Sequence, residues 1–147
     1  MAALSGVVVS QLGTGEQLLL WALRQRRADR GATSPLLAHG FRLACGLAGV
    51  EAALERFERL CRALEGEGHC GVCPLRCAVL SADETRCIAL VAAAQAGEAP
   101  AIRRLAALLV GAPQAPGLCD AARELAEELE RAGVHLAPPT RSVAVLH

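Results

Sequence analysis

Four cysteines between residues 70 and 87 are the part of the sequence whose types and spacing could do chemistry. They follow the pattern Cys70-x2-Cys73-x3-Cys77-x9-Cys87. A C-x2-C pair allows one turn of chain to direct two sulfurs to the same centre, and Cys77 follows closely enough to join them. Cys87 would come from the next helix, whose positive N-terminal end favours thiolates. The spacing therefore predicts a metal site with Cys70, Cys73, Cys77 and Cys87 as its ligands.

Zinc is the metal that we expect at this site. A closed set of four protein ligands is typical of structural zinc, whereas catalytic zinc keeps an open position. An iron–sulfur cluster is the alternative, because C-x2-C-x3-C is similar to part of a ferredoxin run. His69 adjoins Cys70 and could replace one sulfur. Oxidation or metal loss would loosen this part of the chain, so we expect a regulatory or interaction role rather than catalysis.

Two other interpretations of the cysteines stay open. Cys70 and Cys73 form a C-x-x-C, which could serve a thiol–disulfide or peroxide-reducing enzyme as nucleophile and resolving thiol. The motif is similar to that of the helical alkylhydroperoxidase-like proteins, in which a His follows the second Cys by four residues; here that position is Cys77. The third interpretation is a metal-free helical interaction or dimerisation protein, because cysteines also pack as small apolar residues.

Composition indicates an all-α protein and excludes several kinds of partner. Of the 147 residues 53% are apolar, with only two Phe, one Trp and no Tyr, so Leu, Ala and Val must build the core. Fifteen basic residues, all Arg, balance fifteen acidic ones, which makes nucleic acid an unexpected partner. The longest apolar run near the N-terminus, Leu18 to Leu23, is too short to span a membrane.

The cellular compartment follows from the N-terminus. Met1 to Leu12 lacks the basic start and the cleavage site of a signal peptide, so we expect a cytoplasmic protein. In a reducing compartment, clustered cysteines more often bind metal or perform redox chemistry than form disulfides. We expect its partner to be another protein or a second copy of the chain.

Capping signals and apolar periodicity predict a compact bundle of five to six helices, with the cysteine-rich loop between the third and the fourth. Capping residues indicate helix starts at Thr14, Ser34 and Ser81. Two further helices are expected from Pro100 and Leu118. The third helix shows one apolar stripe at helical spacing, formed by Val50, Ala53, Leu54, Phe57, Leu60, Cys61 and Leu64.

The domain boundary is placed at Gly133, a stop signal for the last helix. Residues 1–133 are predicted to form a single helical domain, and residues 134–147 a C-terminal tail that is docked or disordered. Arg24, Arg26, Arg27 and Arg30 are interpreted as a basic end of the first helix, which the helix dipole stabilises.

Overall fold

The computed structural model describes residues 4–30, 34–65 and 70–139. Within these ranges the chain is mostly helical, as predicted, with one small sheet that the sequence did not reveal. The elements in chain order are β1 (Leu4–Val8), α1 (Thr14–Ala28), α2 (Pro35–Leu64), β2 (Val79–Ser81), α3 (Ala82–Ala96), α4 (Ala99–Val110) and α5 (Ala115–Arg131). None of these helices is long and apolar enough to cross a membrane.

Local capping explains where the helices begin. The Ser34 hydroxyl accepts a hydrogen bond from Leu37 N at 3.2 Å, and Pro35 fills the first turn of α2. At the start of α3, Ser81 accepts from Glu84 N and its own N–H donates to the Glu84 carboxylate. Both predicted starts are confirmed. The cap of α1 is Gly13 rather than Thr14, because the Glu16 carboxylate accepts the Gly13 N–H at 3.0 Å.

The predicted boundary between the second and third helices is a kink inside α2. Gly46 has φ +79° and ψ 168°, which interrupts the helix between Pro35 and Leu64. Only glycine adopts this conformation without strain, so the kink is encoded at this one position. Beyond it, the predicted apolar stripe is largely buried, since Ala53, Phe57 and Leu60 are each almost inaccessible to solvent.

The hydrophobic core lies where α5 packs against α2, α3 and α4. Helix α1 packs on α2 and α3 and completes the helical bundle. The two phenylalanines of the chain, Phe41 and Phe57, meet with ring centroids 5.2 Å apart across the kink of α2. Helix α5 begins at Ala115, earlier than predicted, because Pro116 is accepted in a first helical turn.

The missed sheet joins the N-terminus to the segment before α3. Strands β1 and β2 pair antiparallel, with Leu4 opposite Ser81 and Val8 opposite Val79. The Ser5 hydroxyl donates to Leu80 O at 3.1 Å and reinforces the pairing. A strand of three residues carries almost no periodicity of its own, so only its distant partner defines it.

The first residues of the predicted C-terminal tail dock on the helices. Gln95 of α3 donates to Val134 O at 2.9 Å and accepts from Leu136 N at 2.8 Å. Leu136 is buried as a result. Residues 140–147 lie outside the described part of the chain, so the rest of that prediction is not tested.

Candidate functional site

A buried ion pair lies beside the cysteine-rich segment, which comprises residues 70–81. Arg24 of α1 donates through Nε and Nη2 to the two carboxylate oxygens of Glu84 of α3, at 2.8 and 3.0 Å. The side chains are 3% and 0% exposed. Such a two-pronged geometry is the strong form of a charged hydrogen bond, and it also satisfies two charges that would be costly alone. Arg24, which the sequence analysis assigned to a basic helix end that the helix dipole stabilises, instead belongs to this buried ion pair.

The same pair holds the backbone of the cysteine-rich segment. Arg24 also donates to the carbonyls of Cys77 and Val79, at 2.7 and 2.9 Å. The Glu84 carboxylate accepts the N–H of Cys73 at 3.1 Å and that of Ser81 at 2.8 Å. The segment from Cys73 to Ser81 is therefore positioned by hydrogen bonds within the chain to the buried charges of Arg24 and Glu84.

Asp83 and Ser81 hold the earlier part of this segment at the N-terminus of α3. The Asp83 carboxylate accepts the Gly71 N–H at 2.7 Å, and the Ser81 hydroxyl donates to Gly71 O. Together with Glu84, this places two carboxylates in the first turn of the helix. The positive helix end is thus already paired with acidic side chains.

The four predicted metal ligands fall into two groups. The Cys73 thiol interacts with the thiol of Cys77, which contributes to its raised pKa. Cys87 interacts electrostatically with Cys70 and also with Cys61, a cysteine outside the predicted set. Cys73 and Cys87 are buried, whereas Cys70 and Cys77 are half-buried. The burial of Cys87 and Cys61 confirms that their positions belong to the apolar faces of their helices.

The thiols of this region are harder to ionise than the sequence suggested. Burial, followed by the charges of Asp83 and Glu84, raises the pKa of Cys70 to about 12. Burial and the charge of Glu84 raise the pKa of Cys73 to about 11, and complete burial places the pKa of Cys87 well above its ordinary value. The expected lowering of thiol pKa at the N-terminus of α3 is wrong, because burial disfavours the thiolates and carboxylates also occupy that helix end. These values disfavour a nucleophilic Cys70, since a reactive cysteine needs a low pKa.

Across residues 4–30, 34–65 and 70–139, no group of three or more His, Cys, Asp or Glu side chains is arranged to hold a metal ion. His69 lies outside these ranges. The assignment of Cys70, Cys73, Cys77 and Cys87 to zinc or an iron–sulfur cluster therefore remains a prediction. What the described residues establish is that hydrogen bonds from Arg24, Asp83 and Glu84 hold this segment.

A second candidate site is an open groove of about 800 Å³. Its walls are the start of α1, the first half of α2 and the segment that follows α5. The lining residues that the argument uses are Leu18, Trp21, Gly40, Leu43 and Val134. Gly40 allows the helices to approach closely, because a Cβ there would lie 2.3 Å from Cζ3 of Trp21. A mostly apolar groove of this size suits an apolar ligand or side chains of a partner.

Three leucines of α2 are exposed, and Leu43 among them also lines this groove. Leu43 and Leu47 are 75% and 79% exposed, and Leu36 is exposed one heptad before Leu43. Between Pro35 and Val50 the only charged side chain is Arg42, so this is an uncharged run on a surface helix. Sequence reasoning missed this face, although its signal is the absence of charge from Leu43 to Val50.

No family model matches the chain, and no curated protein or solved structure is significantly similar to it. A functional proposal therefore depends on the cysteine-rich segment and on the groove. Backbone groups of the segment have hydrogen-bond partners within the chain, whereas the groove and its leucines present apolar surface to solvent.

Proposed function

We propose that this chain is a helical interaction module that binds an apolar helical segment of another protein in the groove between α1 and α2. The observation that carries the proposal is the exposure of Leu43 and Leu47, at 75% and 79%, on an uncharged run of α2. Exposed apolar patches next to a groove mark interaction sites, because leaving that surface in water costs free energy that a partner recovers.

Spacing supports a helix as the occupant. Leu36 and Leu43 are seven residues apart within the stretch of α2 before the Gly46 kink, which is the spacing of one helical face, and Leu47 follows directly after the kink. A partner helix that presents apolar residues at the same spacing can lay them along this face. The groove beside Leu43, with Trp21 at its base, offers room for several such side chains.

Charge supports a partner with acidic flanks. Arg42 and His39 are exposed on α2, and Arg42 Nη2 lies 3.0 Å from His39 Nδ1. The carboxylate that lines the groove, Glu16, is buried and accepts the Gly13 N–H. A partner with Asp or Glu beside its apolar residues would meet Arg42 favourably, and one with Lys would not.

The test uses a synthetic amphipathic peptide with leucines at helical spacing and glutamates at both ends. We expect this peptide to bind the protein, and Leu43→Glu or Leu47→Glu to weaken binding by about tenfold or more, because each places a charge in an apolar contact. Leu108→Glu is the matched control, since Leu108 is also exposed but lies on α4. Isothermal titration calorimetry measures the affinities.

The same variants and peptides also test the other possible occupants of the groove. Binding that is equal for glutamate-flanked and lysine-flanked peptides would contradict the acidic partner. A homodimer in analytical ultracentrifugation that Leu43→Glu dissociates would assign the face to a second copy instead. Peptide binding that survives both Leu43→Glu and Leu47→Glu would overturn the groove as the site.

We also propose, as a second function, that Cys70, Cys73, Cys77 and Cys87 bind zinc, with an iron–sulfur cluster as the alternative. Two features support it: the Cys77 thiol influences the protonation of the Cys73 thiol, and Cys70 interacts electrostatically with Cys87. Metal binding would require the two groups to converge and the thiols to release their protons to the solvent. The proposed role is regulatory, because metal loss would loosen the segment that joins α2 to α3.

Elemental analysis and an absorption spectrum test this second proposal on protein purified without oxygen and chelator. We expect about one zinc per chain and no visible colour, and loss of the zinc in Cys77→Ser. Cys45→Ser is the control, because Cys45 is half-buried on α2 and outside the predicted set. Brown protein with iron and labile sulfide would support the cluster, and protein with neither metal would contradict the proposal.

A further inference from the structure

Backbone hydrogen bonds bring Cys73 and Cys77 close together on the two sides of one turn. The Cys77 N–H donates to Pro74 O at 3.0 Å, which closes a turn between the two cysteines. The Cys73 N–H is held by Glu84 and the Cys77 carbonyl by Arg24, the two partners of the buried ion pair. The ion pair thus holds the backbone on both sides of the turn, which keeps the two cysteines close together, and their thiols interact.

Access to solvent distinguishes the Cys77 thiol from the Cys73 thiol. Cys77 is half-buried and reachable from solvent, whereas Cys73 is buried beneath the turn. The Arg24 guanidinium interacts electrostatically with both sulfurs. An oxidant from solution therefore reaches Cys77 first, and Cys73 is the thiol that is in place to respond.

We propose that Cys73 and Cys77 are a peroxide-sensitive dithiol that closes to an intramolecular disulfide. The Cys77 sulfur attacks a hydroperoxide and takes its distal oxygen, which yields a sulfenic acid and releases an alcohol, or water from hydrogen peroxide. The Cys73 sulfur then attacks the sulfenic sulfur, and the hydroxyl leaves as water with the Cys73 proton. The two thiols lose two electrons in total, and a cellular dithiol restores them by exchange.

This pair differs from the C-x-x-C that the sequence suggested. Cys70 interacts with Cys87 and with the carboxylates of Asp83 and Glu84, whereas the thiol that interacts with Cys73 across the turn is that of Cys77. The ring that the disulfide closes carries Leu75 and Arg76, both exposed at the tip of the turn. Oxidation would therefore act on a surface feature that is separate from the groove residues, and the inference does not depend on the groove or on a metal.

Trypsin distinguishes the possible pairings, because it cuts after Arg62, Arg76 and Arg86 and separates Cys77 and Cys87 from the peptide that contains Cys70 and Cys73. Reduced protein, both as purified and after chelator treatment, is exposed to hydrogen peroxide, alkylated and digested without reductant. We expect residues 63–76 to be linked to residues 77–86, with both thiols lost from the alkylated fraction. The link should persist in Cys70→Ser, disappear in Cys73→Ser and Cys77→Ser, and be reversed by dithiothreitol.

Other linkages would overturn the proposal. A bond between residues 63–76 and 87–103 would assign oxidation to Cys70 and Cys87. A bond within residues 63–76 would assign it to the C-x-x-C. Chelator-treated protein that shows full alkylation of Cys73 and Cys77 after peroxide treatment would exclude the dithiol altogether. Protection that occurs only before chelator treatment would report bound metal, so the zinc proposal and this one are judged separately.

Discussion

Arg24→Met should lower the free energy of unfolding by about 3–5 kcal/mol, the range for removing one partner of a buried ion pair. The loss arises because Glu84, with no exposed surface, would keep a charge without its countercharge. The carbonyls of Cys77 and Val79 would also lose their donor. Urea denaturation measures the change in stability. Hydrogen exchange should accelerate at the amides of Cys73 and Ser81, which bond to the Glu84 carboxylate.

Two further variants separate the buried pair from ordinary surface pairing. Arg59→Met removes the pair with Glu124, which is half exposed, and should cost less than about 1 kcal/mol. The double variant Arg24→Met/Glu84→Leu should recover part of the loss, because no unpaired charge remains. The recovery should be incomplete, since the backbone groups of the cysteine-rich segment stay without partners. Equal losses for Arg24→Met and Arg59→Met would refute the assigned role of the ion pair.

Stability should fall steeply above about pH 9, because buried thiols resist ionisation in the folded state. Burial raises the pKa of Cys61 and of Cys87 well above the ordinary 9.0. A raised folded-state pKa means that the contribution is complete below pH 9 and is lost as pH rises towards the folded-state value. Each thiol with a strongly raised pKa contributes about 1.4 kcal/mol per pH unit. The pKa values of Cys70 and Cys73 are raised as well, so the four thiols together contribute about 5–6 kcal/mol per pH unit.

The composition of the chain allows the loss of stability above pH 9 to be assigned to cysteines. It has no Lys and no Tyr, so cysteines are the side chains that titrate between pH 9 and the range of Arg. Urea denaturation from pH 7 to pH 11, with chelator and reductant present, measures the slope. Cys61→Ala and Cys87→Ala should each reduce it by about a quarter, because Cys70 and Cys73 also contribute to the slope. Ile88→Val, a buried non-titrating change beside Cys87, should lower stability by about 0.5–1.5 kcal/mol at every pH and leave the slope intact. An unchanged slope in both cysteine variants would contradict the explanation.

Local interactions explain why much of the helical structure was predictable. Ser34 and Ser81 cap helices through bonds that span three residues, and the stripe around Phe57 repeats with the helical period. Such signals depend only on neighbouring residues and not on residues that are distant in the sequence. The shift of the first cap from Thr14 to Gly13 shows the usual uncertainty of one residue at a helix end.

Long-range pairing explains what was missed. Strand β2 is defined only by β1, more than seventy residues earlier, and its three residues carry no strand signal of their own. Arg24 and Glu84 are sixty residues apart, and each had a sufficient local explanation as a helix-end charge or a capping residue. A sequence cannot select one partner among fifteen acidic residues when every one of them satisfies local rules.

By itself, the sequence determined the helical class, the capped starts of α2 and α3, and the cysteine-rich segment as the place to look for chemistry. The tertiary structure decided how those cysteines are divided, which charges are buried beside them, and which leucines of α2 stay in contact with water. The physical reason is that thiol chemistry and apolar exposure depend on surroundings. Those surroundings come from helices that are distant in the chain, whereas helix formation depends on neighbours within a few residues.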